Sequence, residues 1–238
     1  MIDIHSHLLP EVDDGADSME EACIMARLAW DTGTKSLVLT PHSNVPGSFQ
    51  NLWCSEFSSR VDAFSTALAS LGIPLRVMAG MEVFGSDDVA EKIMAGSVIT
   101  LNGSRYILLE FWPDDHAGRV NRVLDSVAAL GLVPVIAHPE RYNFIQEDTS
   151  LAGQWGGKGW LLQVNKGSIL GSFGRRAYLA AHALLSGRYA HAVASDGHSP
   201  YQRVPTLSEA YEYISDHYSH SYAESLLRTV PGRIVSNN

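Results

Sequence analysis

Two histidines stand one residue apart in Met1-Ile2-Asp3-Ile4-His5-Ser6-His7, directly after a short apolar run. Alternation along a strand puts residues i and i+2 on one face, so both imidazoles reach into one space from the end of a buried strand. A second close pair, Asp196-Gly197-His198, follows the last apolar run, His191 to Ala194. Between these pairs, successive apolar runs lead to His42, Glu82, Glu110 and His138, and the loop after the first run carries Asp13-Asp14-Gly15. Imidazole and carboxylate together are the ligand set of Zn, Mn or Fe, and the lack of thiolates argues against a purely structural zinc site. Taking Asp14, Glu82, Glu110 and Asp196 as ionised and five histidines (His5, His7, His42, His138, His198) as neutral gives a cluster of about −4, which no partly buried pocket holds without cations. Two divalent ions would neutralise it, and a third would leave about +2, a charge suited to an anionic substrate such as a phosphate monoester.

That chemistry requires elements that bring distant residues to one place. Short apolar runs alternate with amphipathic patterns along the chain. The runs are Met1 to His7, Leu37 to Leu39, Leu75 to Ala79 ending at Glu82, Tyr106 to Leu109, Val133 to Ile136, Trp160 to Val164 and His191 to Ala194. Helical spacing covers about 18–33, with Ser18 and Glu21 as a capping box, then about 55–71, 87–95, 117–130, 175–185, 207–216 and 223–228. Between Arg141 and Trp160 the glycines Gly153, Gly156, Gly157 and Gly159 read as a mobile loop without phosphate-loop spacing. Alternating β and α patterns with short connections imply parallel strands and right-handed crossovers. A closed or distorted barrel puts all the strand ends on one rim, whereas an open sheet would spread them along an edge. The expectation is therefore an α/β fold, a TIM-like barrel forming a single domain over 1–238.

Composition narrows the partners. A net charge of −9 argues against nucleic acid or an anionic membrane surface. No basic segment with an apolar core opens the sequence and no run of apolar residues is long enough to insert into a membrane, so a cytoplasmic protein is expected. Cys23 and Cys54 lie in helical patterns and are expected as two small buried hydrophobes. The stretch Cys54 to Arg60 has the C-x5-R spacing of cysteine-dependent phosphatases. However, Glu56 would put an anion into the phosphate cradle and Phe57 falls in the apolar stripe of a helix, so the match reads as coincidence. Tyr211, Tyr213, Tyr218 and Tyr222 stand in helical contexts and are expected to pack rather than to form a phosphoacceptor tail.

The segments MIDIHSHLLPEVDDGADSMEEA, TPHSN, GMEVF, ILLEF, IAHPERY and ASDGHSP, in this order, resemble the bacterial CpsB/YwqE-type protein-tyrosine phosphatases of the polymerase and histidinol phosphatase (PHP) superfamily, from Met1 to about Tyr213. The resemblance implies a distorted (β/α)7 TIM-like barrel and two to three divalent metal ions, with Mn favoured over Fe or Zn. It implies metal ligands at His5, His7, Asp14, His42, Glu82, Glu110, His138, Asp196 and His198, and phosphate-contacting arginines at Arg141 and Arg203, with Asp14 counted among the catalytic groups as well. The implied activity is hydrolysis of phosphotyrosine by in-line attack of metal-bound hydroxide, and the implied partner is a phosphotyrosine protein, the tyrosine-rich tail of a capsule or exopolysaccharide kinase. Three stretches depart from the family pattern: TPHSNVPGSFQN, Tyr142 after PER, and Gln163-Val164-Asn165-Lys166. These loops line the site mouth in the family, which leaves substrate preference open. Two alternatives remain: a phosphatase of a small metabolite such as histidinol phosphate, and a non-catalytic, metal-stabilised binding module.

Overall fold

In a computed structural model, which describes residues 1–236, nine parallel strands are found among the described residues: β1 (Ile2–Asp3), β2 (Ser36–Leu39), β3 (His42–Ser43), β4 (Arg76–Ala79), β5 (Glu82–Phe84), β6 (Tyr106–Glu110), β7 (Val133–Ala137), β8 (Leu161–Asn165) and β9 (Ala192–Ala194). They form two sheets, β1-β2-β4 and β3-β5-β6-β7-β8-β9, with every pairing parallel. Because β3 continues β2 and β5 continues β4 along the chain, the nine strands occupy seven positions, and the expected (β/α)7 barrel is present in distorted form.

The distortion has local causes. Pro41 lacks the N–H that a ladder needs, which breaks the second strand position after Thr40. At the third, Gly80 passes so close to its neighbour that an added Cβ would lie 2.7 Å from Val38 Cγ1. The sequence reading had Glu82 at the end of one strand; instead it opens β5, in register with His42 opening β3. These breaks let two chemically active residues start fresh segments side by side. The circuit closes between the first and last strands only at the rim, through the Ser6–Gly197 bridge, Asp196 N to His5 O (3.0 Å) and His7 N to Gly197 O (2.8 Å). Below the rim, the buried Asp3 carboxylate fills the seam by accepting from the backbone N–H groups of Ser195 (3.1 Å) and His5 (3.3 Å).

Two apolar layers follow from the period-2 alternation. Ile4, Val38, Tyr106, Leu108, Val135, Ala137, Ala192 and Ala194 form the barrel interior, together with Ile234 from the C-terminal helix Val230–Ser236. That helix sits against the barrel, with Asn102 Nδ2 donating to Val235 O. Ile107, Leu109, Ile136, Leu162 and Val193 face outward and meet the apolar stripes of the surrounding helices, for example Val120, Val123, Leu124 and Val127 of Ala117–Ala128. The first helix, Met19–Asp31, is capped by Ser18, whose Oγ accepts from Glu21 N; Glu21 completes the cap one residue early, on Asp17 N.

Two expectations are corrected here. The glycine-rich stretch is a helix, Ser150–Gly157, with Ala152 and Trp155 buried. Trp155 Nε1 donates to Asn121 Oδ1, and Gly153 is small because Tyr189 presses on it: an added Cβ would lie 2.9 Å from the ring. Gly153 thus serves close packing. Cys23 is buried as expected, but Cys54 is exposed at the start of Ser55–Ser70, where Glu56 and Arg60 pair along the helix surface. Tyr222 is buried and Tyr211, Tyr213 and Tyr218 pack against the core, in keeping with a structural role. No helix among the described residues is long and apolar enough to cross a membrane.

Candidate metal centre and active site

The strand ends converge. Four overlapping groups of side chains have ligand atoms within 4.8 Å of one another: His7, Asp14, His42 and His198; His5, His7 and Asp196; His5, Glu82 and His138; and His42, Glu82 and Glu110. Together they comprise all nine residues singled out from the sequence, drawn from positions 5 to 198. Left-handed backbone at His138 (φ +34°) and Asp196 (φ +50°) turns the chain sharply where it leaves β7 and β9, the kind of strain found at functional sites.

The donor set fits cations on hydrogen-bond grounds. Gln163 Oε1, an acceptor, lies 2.7 Å from His5 Nδ1, and Asp13 Oδ2 lies 2.7 Å from His7 Nδ1, so both Nδ1 atoms carry the proton of a neutral ring. The bare Nε2 atoms then face each other at 3.2 Å, with Glu82 Oε2 3.1 and 3.3 Å away and Asp196 Oδ1 3.4 Å from each. Four lone pairs aimed into one dry space repel unless a positive charge sits among them. Similarly, His198 donates Nδ1–H to Asp196 O (2.9 Å), leaving its buried Nε2 without a hydrogen-bond partner, 3.5 Å from Asp14 Oδ1. Glu82 Oε2 is buried and unpartnered as well.

Without metal, protons meet this demand. Burial opposes charge on His42, but Glu82 and Glu110 outweigh it and hold the imidazole at about 10. His5 and His7 are raised in the same way against burial, His5 by Glu82 and Asp196, His7 chiefly by Asp13. Burial, the two neighbouring imidazoles and the carboxylates thus balance only when positive charge is present. His138 goes the other way, lowered to about 4 by burial and by Arg141, and His198 is lowered by burial and by His7.

Asp13, Gln163 and Asn165 are supporting residues that the sequence reading did not single out as site groups. Asp13 also accepts from His42 N (2.8 Å) and, through Oδ1, from Gly15 N (3.0 Å), so one carboxylate fixes two candidate ligand histidines, His7 and His42, and the loop carrying Asp14. Asn165 Nδ2 donates to Asp196 Oδ2 and Gln163 Nε2 to Asn165 Oδ1. The signal was available in part, since Gln163 and Asn165 alternate along β8 toward the barrel interior. Both, like Tyr142, lie beneath the centre and not at its mouth, which corrects the expectation for those two departures. Tyr142 is fully buried, its OH donating to Ala137 O (2.7 Å) and accepting from Phe111 N, and its ring lies edge-on to His138. The third departure does reach the mouth: Val45, Ser48 and Phe49 line a cavity of about 250 Å³ above the cluster, opposite Trp112, Arg141 and Arg203. Both arginines are about a third exposed and turn toward Asp196 Oδ2, Arg203 bonding it directly and Arg141 Nη1 standing 3.7 Å away.

Nine imidazole- and carboxylate-bearing side chains thus gather on the rim of a distorted seven-position barrel. Over residues 1–236 the chain matches the family described as capsular polysaccharide synthesis, CpsB/CapC, and it belongs to that family. It is 36% identical over 200 residues to the tyrosine-protein phosphatase YwqE of Bacillus subtilis (strain 168), covering 84% of this chain and 78% of that one. It is 30% identical over 242 residues to the tyrosine-protein phosphatase CpsB of Streptococcus pneumoniae, covering 99% and 98%. A crystal structure from work on YwqE from Bacillus subtilis and CpsB from Streptococcus pneumoniae, described as unique metal-dependent tyrosine phosphatases, matches with a TM-score of 0.92 at 31% identity, covering 100% of this chain and 95% of the other.

Proposed function

We propose that this chain is a metal-dependent protein-tyrosine phosphatase that acts on the tyrosine-rich tail of a kinase of capsule or exopolysaccharide synthesis. The observation that carries the reading is a cavity lined by Asp14, His42, Glu82, Glu110, His138 and Asp196, with His5, His7 and His198 clustered among them, and by two guanidinium groups. His5, His7, Asp14, His42, Glu82, Glu110, His138, Asp196 and His198 would hold two to three divalent ions, Mn in preference to Fe or Zn. When bound, such ions activate water at neutral pH and draw charge from phosphoryl oxygens. Arg141 and Arg203 bind the nonbridging oxygens and oppose the charge that grows on them in the transition state.

The leaving group distinguishes an aryl from an alkyl phosphate. His138, lowered to about 4 by burial and Arg141, and His198, lowered by burial and His7, are neutral rings at neutral pH, so neither is an imidazolium ready to protonate a departing oxygen. A tyrosinate, whose conjugate acid has a pKa of about 10, departs with far less help than an alkoxide. The wall agrees with this choice, because Phe49, stacked parallel to His42 at 5.6 Å, and the half-exposed Trp112 offer aromatic surface to a substrate ring. The experiment compares a phosphotyrosine peptide with histidinol phosphate, with and without chelator. Turnover of the peptide should exceed that of histidinol phosphate by at least about tenfold in kcat/KM, the scale on which pocket contacts discriminate, and chelation should abolish it. Preference for histidinol phosphate would sink the substrate assignment, and the absence of phosphate release from any aryl ester would favour a binding module.

A further inference from the structure

Arg141 and Arg203 share a neighbour that belongs to none of the sequence motifs. Phe173 stands immediately before the helix Gly174–Ser186, and both guanidinium carbons lie over its ring, each 5.5 Å from the centroid. That separation is within the range in which the negative face of an aromatic ring attracts a cation. The ring is itself pinned. It lies flush on Gly167, in the short turn Lys166–Ile169 after β8, where an added Cβ would come within 2.7 Å of Phe173 Cε2.

The two arginines need such a support. They enter the site from separate segments, one after β7 and one after β9, and as like charges on long side chains they gain nothing from each other's company. Their other common partner is the Asp196 carboxylate, which Arg203 bonds and Arg141 approaches. A carboxylate alone would draw both guanidinium groups inward, away from an incoming phosphoryl group. A flat ring beneath them holds their planes without competing for their N–H donors.

We propose that Phe173 is a positioning residue that sets Arg141 and Arg203 side by side as a two-pronged phosphate clamp. The assignment rests on the reading of both arginines as phosphate contacts. The test uses the metal-loaded full chain and three variants, Phe173→Leu, Phe173→Tyr and Gly167→Ala, with p-nitrophenyl phosphate as substrate and inorganic phosphate as competitive inhibitor. Phe173→Leu should raise the phosphate inhibition constant by about tenfold, the size of two partly exposed cation–π contacts, and lower kcat/KM to match. Metal content should be unchanged, and Phe173→Tyr, which keeps the ring, should stay within about twofold of the parent. Gly167→Ala, which pushes the ring from its seat, should act in the same direction by a separate route. A double-mutant cycle with Arg203→Lys should show losses smaller than the product of the single effects, since both act through one guanidinium. An unchanged inhibition constant in both Phe173→Leu and Gly167→Ala, or independent multiplication in the cycle, overturns the proposal. If Arg141→Lys and Arg203→Lys themselves leave phosphate inhibition untouched, the phosphate role of the arginines falls instead, a result distinct from failure of Phe173 alone.

Discussion

Replacing Gly15 by alanine tests whether the loop after the first strand position is part of the metal centre or merely near it. A Cβ built on Gly15 would lie 2.0 Å from His7 O and 2.6 Å from His7 Cβ. Ordinary contacts need more than 3 Å, so the two segments must part by about 1 Å or more. They cannot part freely. Ala16 N bonds His7 O at 3.1 Å, Gly15 N bonds Asp13 Oδ1, and Asp13 Oδ2 holds His7 Nδ1. The movement therefore passes into the His7 imidazole or into Asp14, whose ligand atoms belong to the same group. Overpacking of this kind costs about 1–3 kcal/mol of stability, while a displacement of about 1 Å in a catalytic constellation costs about a hundredfold in rate. We expect Gly15→Ala to remain folded by circular dichroism, to lose at least part of its bound metal by elemental analysis, and to fall about a hundredfold in kcat/KM on an aryl phosphate. A folded variant with full metal content and activity within about threefold of the parent would refute the geometry argued for His7.

Metal loading should depend on pH. His42 sits at about 10 in the metal-free chain and must lose its proton to coordinate, a cost of about 4 kcal/mol at pH 7. Because His5 and His7 are raised too, apparent metal affinity, followed by competition with a chelator, should rise at least about tenfold per pH unit between about 6 and 8, with proton release seen by calorimetry in buffers of different ionisation heat; a flat profile contradicts this. The sign for stability is opposite. Because His42 is raised from 6.5, its contribution to the metal-free fold is complete below 6.5 and disappears as pH passes about 10, so the chelated protein should melt lower at pH 10 than at pH 7. Burial lifts Glu140 from 4.5 to about 7, so its contribution is present below 4.5 and lost as pH rises through about 7. Glu140→Gln keeps an oxygen for Asn165 N and should gain up to roughly 3 kcal/mol over the parent between about pH 4 and 8 in urea melts; parallel pH profiles for the two proteins rule this out.

Much of the candidate site was legible because its imidazoles and carboxylates sit where apolar runs stop, a pattern set by strand geometry and chemistry together. His5 and His7, Glu110 after Leu109, and Asp196 and His198 could all be placed without coordinates. The broken strands were harder to see. Pro41 announces one break, but Gly80 marks the other only through its contact with Val38, a neighbour in space. The helix Ser150–Gly157 was missed because glycine lowers helix propensity, and here the gain from burying Trp155 and seating Tyr189 against Gly153 prevails. Phe173 was invisible for a similar reason, since its partners are 32 residues before it and 30 after.

Asp196 links the two halves of the site. Its Oδ1 faces His5 and His7 among the ligand atoms, while Oδ2 is taken by Arg203 and Asn165. One buried carboxylate thus serves cations on both sides, and its charge is held by whichever is present. In the metal-free chain, against burial, His5 and His7 hold the Asp196 carboxyl down first and Arg203 next, so drawing that guanidinium onto a phosphate removes the cation bonded directly to Oδ2, a loss that runs to several kcal/mol in buried pairs. Were divalent ions held by this cluster, as proposed, the penalty would fall and Arg203 would be free to turn. Phosphate should therefore bind after metal and not before it. A ligand present at about a hundred times its dissociation constant stabilises by about 2.7 kcal/mol, a readily measured thermal shift. Inorganic phosphate should raise the melting temperature of the loaded protein and leave that of the chelated protein unmoved; equal shifts in both would show that Arg203 does not depend on the metal side of Asp196.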